Sequence, residues 1–208
     1  MPMMDAHKTA FRIVRDRLKD ADIAERCERS GALYCPEEGI VEIAFVGRVC
    51  RIEWPDMAAG VADGEELSLR ERILLLHYLD RASGAPASGQ EITFAQLPGV
   101  EVYLPVFRAR TIDRVVRSFG RQPELLPEAA RSMDGRAIRH GDVGVAVPAL
   151  PKVTIVFVLW QGDEEFEPAG NILFDSRIGE YLPTEDVIVA SEMIVSRLCA
   201  YAKQENRT

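Results

Sequence analysis

The run Val153-Thr-Ile-Val-Phe-Val-Leu-Trp160 is apolar at every position except Thr154. A strand with one wet face alternates apolar and polar residues. An unbroken apolar run of this length is expected of a strand buried on both faces, at the centre of a sheet. Its wholly apolar part, Ile155–Trp160, falls far short of the ~20 residues needed to span a bilayer. Just before it, Val143-Gly-Val-Ala-Val147 reads as a neighbouring strand with a small side that permits close packing. Just after it, Asn171–Phe174 reads as a further short strand. Towards the N-terminus, Ile40–Phe45 and Val49–Trp54 are β-rich runs on either side of Gly47 and predict a hairpin. Pro55–Glu66 reads as a loop, and Glu91–Phe94 as a short strand.

Helices surround these strands. Phe11, Val14, Leu18 and Ala21 recur at helical spacing, which predicts a helix over Ala10–Arg29 closed by Gly31. Ser68 and Glu71 form a capping box that opens a helix running through Leu79, with a wide apolar arc. Tyr103–Phe119 reads as a helix closed by Gly120, and Pro123–Met133 as another. Thr184 is expected to cap a last helix reaching about Lys203, with Glu185 and Asp186 opposing its positive end. Strands and helices do not alternate regularly. The expected fold is therefore α+β, a mixed, largely antiparallel sheet surrounded by helices, with a doubly wound parallel fold the weaker alternative. Residues 1–208 are expected to form one domain, with the 10–29 helix packed on it. The Gly/Ser/Pro-rich Ser83–Gly89 turn is too short to separate two domains.

Composition narrows the function classes. The 208 residues include 25 Lys+Arg and 33 Asp+Glu, a formal charge of −8, and 47% are hydrophobic. That is globular composition, and its acidic balance argues against a nucleic-acid or anionic-membrane partner. Met1–Arg17 mixes charges with apolar residues and lacks the apolar core of a signal peptide. Cys27, Cys35, Cys50 and Cys199 form no C-x-x-C pair, so four reduced thiols and a cytoplasmic location are expected. The only histidines are His7, His77 and His140, too few for a His-rich metal centre. No G-x-S-x-G elbow, phosphate loop or G-x-G-x-x-G is present. The sequence therefore assigns no reaction and no cofactor.

The charge is uneven. Gly162–Asp186 holds eight acids and one base, a net −7, and the rest of the chain sums to −1. Within it, Asp163, Glu164 and Glu165 are candidate ligands for a hard cation such as Mg²⁺ or Ca²⁺, which prefers oxygen donors. A calcium loop starting at Asp163 fails, because its sixth and twelfth places are Pro168 and Phe174. An exposed acidic loop, ion pairing with Arg108 or Arg110, and acid–base work by a crowded carboxylate are the other readings. Arg110, Arg114, Arg117 and Arg121 share one face of the Tyr103–Phe119 helix if it continues that far. That stripe is a solvated face, an anion-binding wall or a partner for the acidic segment. Arg108 is expected near the apolar side, where a guanidinium must be paired. His77 lies on the less apolar side of its helix, as a half-buried structural residue or a ligand contact. Trp54 and Trp160 are expected to pack in the core or line a pocket.

Several runs carry a resemblance: Leu74-Leu-Leu-His-Tyr-Leu79, Ser83-Gly84, Gly89, Phe107-Arg-Ala-Arg110 and Phe119-Gly120. Trp160-Gln-Gly-Asp-Glu-Glu-Phe166, Ile172-Leu-Phe-Asp175 and Tyr181-Leu-Pro-Thr-Glu-Asp186 complete it. Together, over roughly Ile40–Ala190, they resemble the prokaryotic domain of unknown function 3786 family. The resemblance implies an anaerobic setting and, through relatives fused to cysteine-rich iron–sulfur domains, a corrinoid or one-carbon context. This chain lacks that cysteine cluster, so no iron–sulfur site carries over. Arg108, Arg110, Asp163, Glu164, Glu165, Phe166, Asp175, Glu185 and Asp186 fall on the family motifs.

The leading expectation is a cytoplasmic binding or accessory protein for an anionic small molecule or cofactor. Arg108, Arg110, Phe166, Asp175 and His77 are its candidate contacts. Its pocket is expected where the acidic loop, the Leu173–Asp175 strand end and the Arg108/Arg110 helix join. The alternatives are a divalent-cation-dependent enzyme built on Asp163, Glu164 and Glu165, and a module that binds a protein partner without a small-molecule site.

Overall fold

The structure, a computed structural model, describes residues 2–62 and 64–205. It is α+β, as the order of elements predicts, but its strands divide between two sheets and every pair is antiparallel. The first sheet is a meander of β1 (Leu33–Cys35), β2 (Ile40–Phe45), β3 (Arg48–Glu53) and β4 (Ala59–Val61). The second contains β5 (Glu91–Thr93), β6 (Arg136–Ile138), β7 (Val143–Leu150), β8 (Val153–Trp160) and β9 (Ala169–Asp175), in the order β5-β9-β8-β7-β6. The unbroken apolar strand β8 is its centre. Ile155, Phe157 and Leu159 join the main core, and Val156 and Val158 form a small cluster apart from it.

The helices are α1 (Pro2–Leu18), α2 (Ile23–Ser30), α3 (Leu69–Arg81), α4 (Leu104–Arg110), α5 (Ile112–Phe119), α6 (Leu125–Arg131) and α7 (Thr184–Glu205). Two helices expected to be continuous are broken. The Asp22 carboxylate accepts the N–H groups of Ala24 and Glu25, so a new helix starts there instead of the first continuing. Between α4 and α5, the buried Thr111 hydroxyl donates to the Phe107 carbonyl 2.5 Å away. The Thr111 backbone leaves the helical region, with φ −126° and ψ −80°. The capping box of Ser68 and Glu71 is present, and α3 buries Ile73–Leu76, Tyr78 and Leu79 over the wide arc expected. The last helix differs by one residue. The N–H groups of Asp186 and Val187 both donate to the Pro183 carbonyl, so Thr184 already lies inside it.

One main core unites the inner faces of both sheets with α3, α5, α6 and α7. The β2–β3 hairpin contributes Val41, Ile43, Phe45, Cys50 and Ile52, which share one face because Val41 pairs with Ile52 and Ile43 with Cys50. Its two-residue turn, Val46-Gly47, has positive φ at both positions, 49° and 71°, as a tight hairpin turn demands. The Val46 N–H donates to the Ala149 carbonyl of β7 at 3.0 Å, which ties the first sheet to the second. A different tie, from α2 and α3 to the turn between β7 and β8, is Tyr78, fully buried, whose hydroxyl donates to the Ser30 carbonyl and accepts the Lys152 N–H at 3.1 Å. Burial pushes the Tyr78 pKa up, so the hydroxyl stays protonated and keeps both roles.

Two substitutions test these ties. A Cβ on Gly47 would sit 2.7 Å from Met133 Cα and 2.8 Å from Ser132 O, both backbone atoms. Gly47→Ala should therefore destabilise the fold by about 2 kcal/mol or more in urea denaturation, from left-handed strain plus displacement of the backbone that follows α6. Tyr78→Phe leaves a buried carbonyl and an N–H without their partner and should cost about 1–3 kcal/mol. An unchanged urea midpoint for either variant contradicts the tie it probes.

Candidate functional site

Four segments converge beside the Val46-Gly47 turn. Arg48 follows the turn, Arg70 and Glu71 lie in the first turn of α3, Arg114 lies on α5, and Glu192, Ser196 and Arg197 lie on α7. Between them is a crevice of about 350 Å³, at the lower end of the ~300–1,000 Å³ typical of small-molecule sites. Glu192 and Ser196 are four residues apart on α7, so helical geometry presents both to the same side.

The hydrogen bonds show which charges are balanced. Glu71 accepts Ser68 N–H at 2.8 Å through the capping box and Arg48 at 2.7 Å. Partial burial pushes its pKa up, but the bonds from Ser68 and Arg48 outweigh this and hold the carboxyl below its usual range. Glu192 accepts Arg70 at 2.7 Å and Arg110 at 3.3 Å. Arg48 also reaches Glu65 at 3.2 Å. Among the described residues, the remaining two guanidinium groups form no ion pair and hydrogen-bond only to neutral oxygens. Arg114 donates to the Arg110 carbonyl at 3.3 Å and to Ser196 Oγ at 3.2 Å. Arg197 donates to the Val46 carbonyl at 2.7 Å. Burial first, and then the charge of Arg48, lowers the Arg197 pKa. Two cations crowded together, with the carboxylates already engaged, leave a local excess of positive charge and spare N–H donors. Guanidinium forks match the planar or tetrahedral oxygens of carboxylates and phosphates.

The residues singled out from the sequence are scattered rather than gathered. Arg110 reaches the crevice edge through Glu192. Arg108 does not lie on the apolar side. Its side chain is 67% exposed and pairs with Asp113 at 3.1 Å, because the break at Thr111 makes α4 and α5 separate helices. His77 places Nδ1 2.6 Å from the buried Asp186 carboxylate and so ties α3 to α7. Asp175 accepts hydrogen bonds from Ser88 Oγ, Gly89 N–H and Arg177 N–H, which close the 88–89 and 175–177 turns. Partial burial raises its pKa, but those bonds prevail and keep it low. Trp160 and Phe166 are exposed, at 42% and 69%, and Trp54 is partly buried against the core.

The pocket expected at the junction of acidic loop, Leu173–Asp175 and the arginine helix does not form. The acidic loop joins the Ala169 end of β9, and Asp175 is at the other end, ~20 Å along an extended strand. Nor does the loop assemble a cation site. Asp163 Oδ1 is occupied by the N–H groups of Glu165 and Phe166, both at 2.8 Å, and these bonds hold its pKa down. Among the described residues, no group of three or more His, Cys, Asp or Glu side chains is arranged to hold a metal ion. The loop does adjoin the basic helix: a Cβ on Gly120 would lie 2.9 Å from Pro168. Among the described residues, however, no loop carboxylate forms an ion pair with an α4 or α5 arginine; Arg108 and Arg110 pair with Asp113 and Glu192 instead.

Arg114 belongs to the predicted basic stripe. Arg48, Arg70 and Arg197 were not singled out, and the one local signal among them is Arg70 inside the Ser68–Glu71 capping box. The cysteines form no disulfide, and burial pushes the Cys27 thiol up to about 11. No helix of the described residues is long and apolar enough to cross a membrane.

No curated protein and no solved structure matches the chain. The family described as Domain of unknown function (DUF3786) matches residues 22–197, from the cap of α2 to Arg197 of the crevice. Arg48, Arg70, Arg114 and Arg197 all lie inside that match, and with most of its length covered the chain belongs to the DUF3786 family.

Proposed function

We propose that this protein is a cytoplasmic binding or accessory protein for a small multivalent anion, a phosphate or polycarboxylate, and that the arginine crevice holds it. The observation that carries this reading is the pair Arg114 and Arg197. Each guanidinium faces the crevice with only neutral oxygen partners, while Glu71 and Glu192 are engaged by other arginines. A phosphate between them supplies the counter-charge the site lacks and accepts several charge-assisted hydrogen bonds at once. The corrinoid or one-carbon setting enters only through the family resemblance and adds no residue to the crevice.

Inorganic phosphate and pyrophosphate test the reading directly. Pyrophosphate at about 100 times its Kd should stabilise the protein by about 2.7 kcal/mol. That is a Tm rise on the order of 5–10 °C for a chain of this size. Arg114→Met should weaken pyrophosphate binding at least tenfold in calorimetric titration, with the unliganded Tm little changed because Arg114 forms no ion pair among the described residues. Arg108→Met, on the exposed pair with Asp113, should leave binding unaltered. A wild-type Tm indifferent to both anions, or equal affinity in Arg114→Met, refutes the assignment.

A further inference from the structure

The second sheet has another face, turned away from the main core. There Ala146 of β7 and Val156 and Val158 of β8 form a small apolar cluster of their own, flanked by Ile138 and Leu173. These three side chains are 4%, 8% and 2% exposed, although Ile155, Phe157 and Leu159 occupy the face against the main core. The 139–142 loop between β6 and β7 supplies part of the cover. A Cβ on Gly141 would lie 2.7 Å from Val158 Cγ1, and one on Gly144 would lie 3.0 Å from His140 Cβ. Between this loop and the 87–91 segment is a cavity of about 750 Å³, floored by Ala146, Thr154 and Val156.

A clasp joins the two sides of the cavity. His140 Nε2 lies 2.6 Å from Glu91 Oε2, and His140 Nδ1 lies 2.8 Å from the Arg139 carbonyl. The Arg139 carbonyl can only accept, so Nδ1 donates to it, and the hydrogen bond to Glu91 at Nε2 raises the His140 pKa. Glu91 is thus engaged by His140. Asp175, the other carboxylate lining the cavity, is engaged by Ser88, Gly89 and Arg177. Arg136 and Arg139 also line the cavity, and among the described residues neither forms an ion pair. The space thus has an apolar floor of small side chains and, at the β6 end, two unbalanced guanidinium groups.

From this arrangement we infer that the cavity on the outer face of the second sheet binds a monocarboxylic acid with an apolar body. The carboxylate lies against Arg136 and Arg139, and the acyl or aryl body lies on Ala146, Thr154 and Val156. Inorganic phosphate does not suit this floor, because burying it beside Ala146 and Val156 forfeits hydration without return. The site is separate from the arginine crevice, with which it shares no lining residue.

The test uses the full chain and the fluorescent probe 1-anilinonaphthalene-8-sulfonate, whose sulfonate stands in for the carboxylate. The folded protein should bind it saturably at one site. Decanoate should displace it, and decanol should compete at least tenfold more weakly. Thr154 is exposed within the floor, so Thr154→Trp fills the cavity without entering the core. It should reduce probe affinity at least tenfold with unchanged circular dichroism. The double variant Arg136→Gln/Arg139→Gln should weaken decanoate at least tenfold and leave decanol unchanged, which keeps the inference testable should the Trp variant fail to fold. Pyrophosphate should not displace the probe, so failure here is distinct from failure at the crevice. Absence of saturable binding, or full binding in Thr154→Trp, overturns the site. Equal competition by decanol and decanoate overturns the ligand class.

Discussion

The backbone of Val46 is bonded on both sides to elements outside its own hairpin. Its N–H donates to Ala149 of β7, and its carbonyl accepts Arg197 of α7. A β-branched residue at φ 49° is strained, at a cost of about 1–3 kcal/mol. That conformation persists because the side chain is 1% exposed and both polar groups of the backbone are satisfied. The consequences reach the site. The tight turn brings Arg48 back beside the position where Arg197 already donates; burial first, and then the nearby charge of Arg48, lowers the Arg197 pKa. The contact that docks the first sheet on the second therefore also creates the electrostatic need that the crevice expresses.

What could be read from the sequence were the features whose causes are local. The capping box of Ser68 and Glu71, the hairpin around Gly47, the closure of α2 by Gly31 and the central place of Val153–Trp160 each depend on a few neighbouring residues. The missed features were decided by competition or distance. Helical periodicity runs through Asp22 and Thr111, yet at each a side-chain oxygen bonds to nearby backbone, and the helix breaks there. Strands β1, β4 and β6 have three residues each, too few to display a period of two. The division into two sheets depends on long-range pairing that no window of sequence contains. The crevice was invisible for the same reason: Arg48 and Arg197 are brought together only by the fold, and nothing local marks either.

The acidic segment has a different significance in three dimensions. Much of its charge is used to hold backbone in place. Asp163 and Asp175 accept backbone N–H groups at turns, Asp186 fixes His77, and Glu180 accepts Ser83 Oγ. A carboxylate is an efficient turn-former because one group can accept from two or three donors that a tight turn would otherwise leave unpaired. The exposed remainder, Glu164, Glu165, Glu167 and Glu185, places charge on the surface and, among the described residues, forms no chelating set, because chelation needs several oxygens fixed on one point.

On the proposed assignment, this distribution governs how an anion would reach the crevice. The whole chain carries −8, so its far field repels anions, and electrostatic steering of the kind that accelerates encounter is not available. Screening confines that repulsion, since the Debye length is ~8 Å at physiological ionic strength. Inside that distance the local donors dominate. Arg114 and Arg197 retain spare N–H groups in a partly desolvated crevice, where a charge-assisted hydrogen bond is stronger than at an open surface. Affinity must then reside in short-range geometry, and rising salt has opposed effects: it relieves the far repulsion while weakening the near attraction. A basic protein gathers anions indiscriminately from a distance. On the proposed assignment, an acidic protein with a small arginine crevice admits only those whose oxygens fit the donors, so its net charge acts as a filter for specificity rather than as an obstacle to binding.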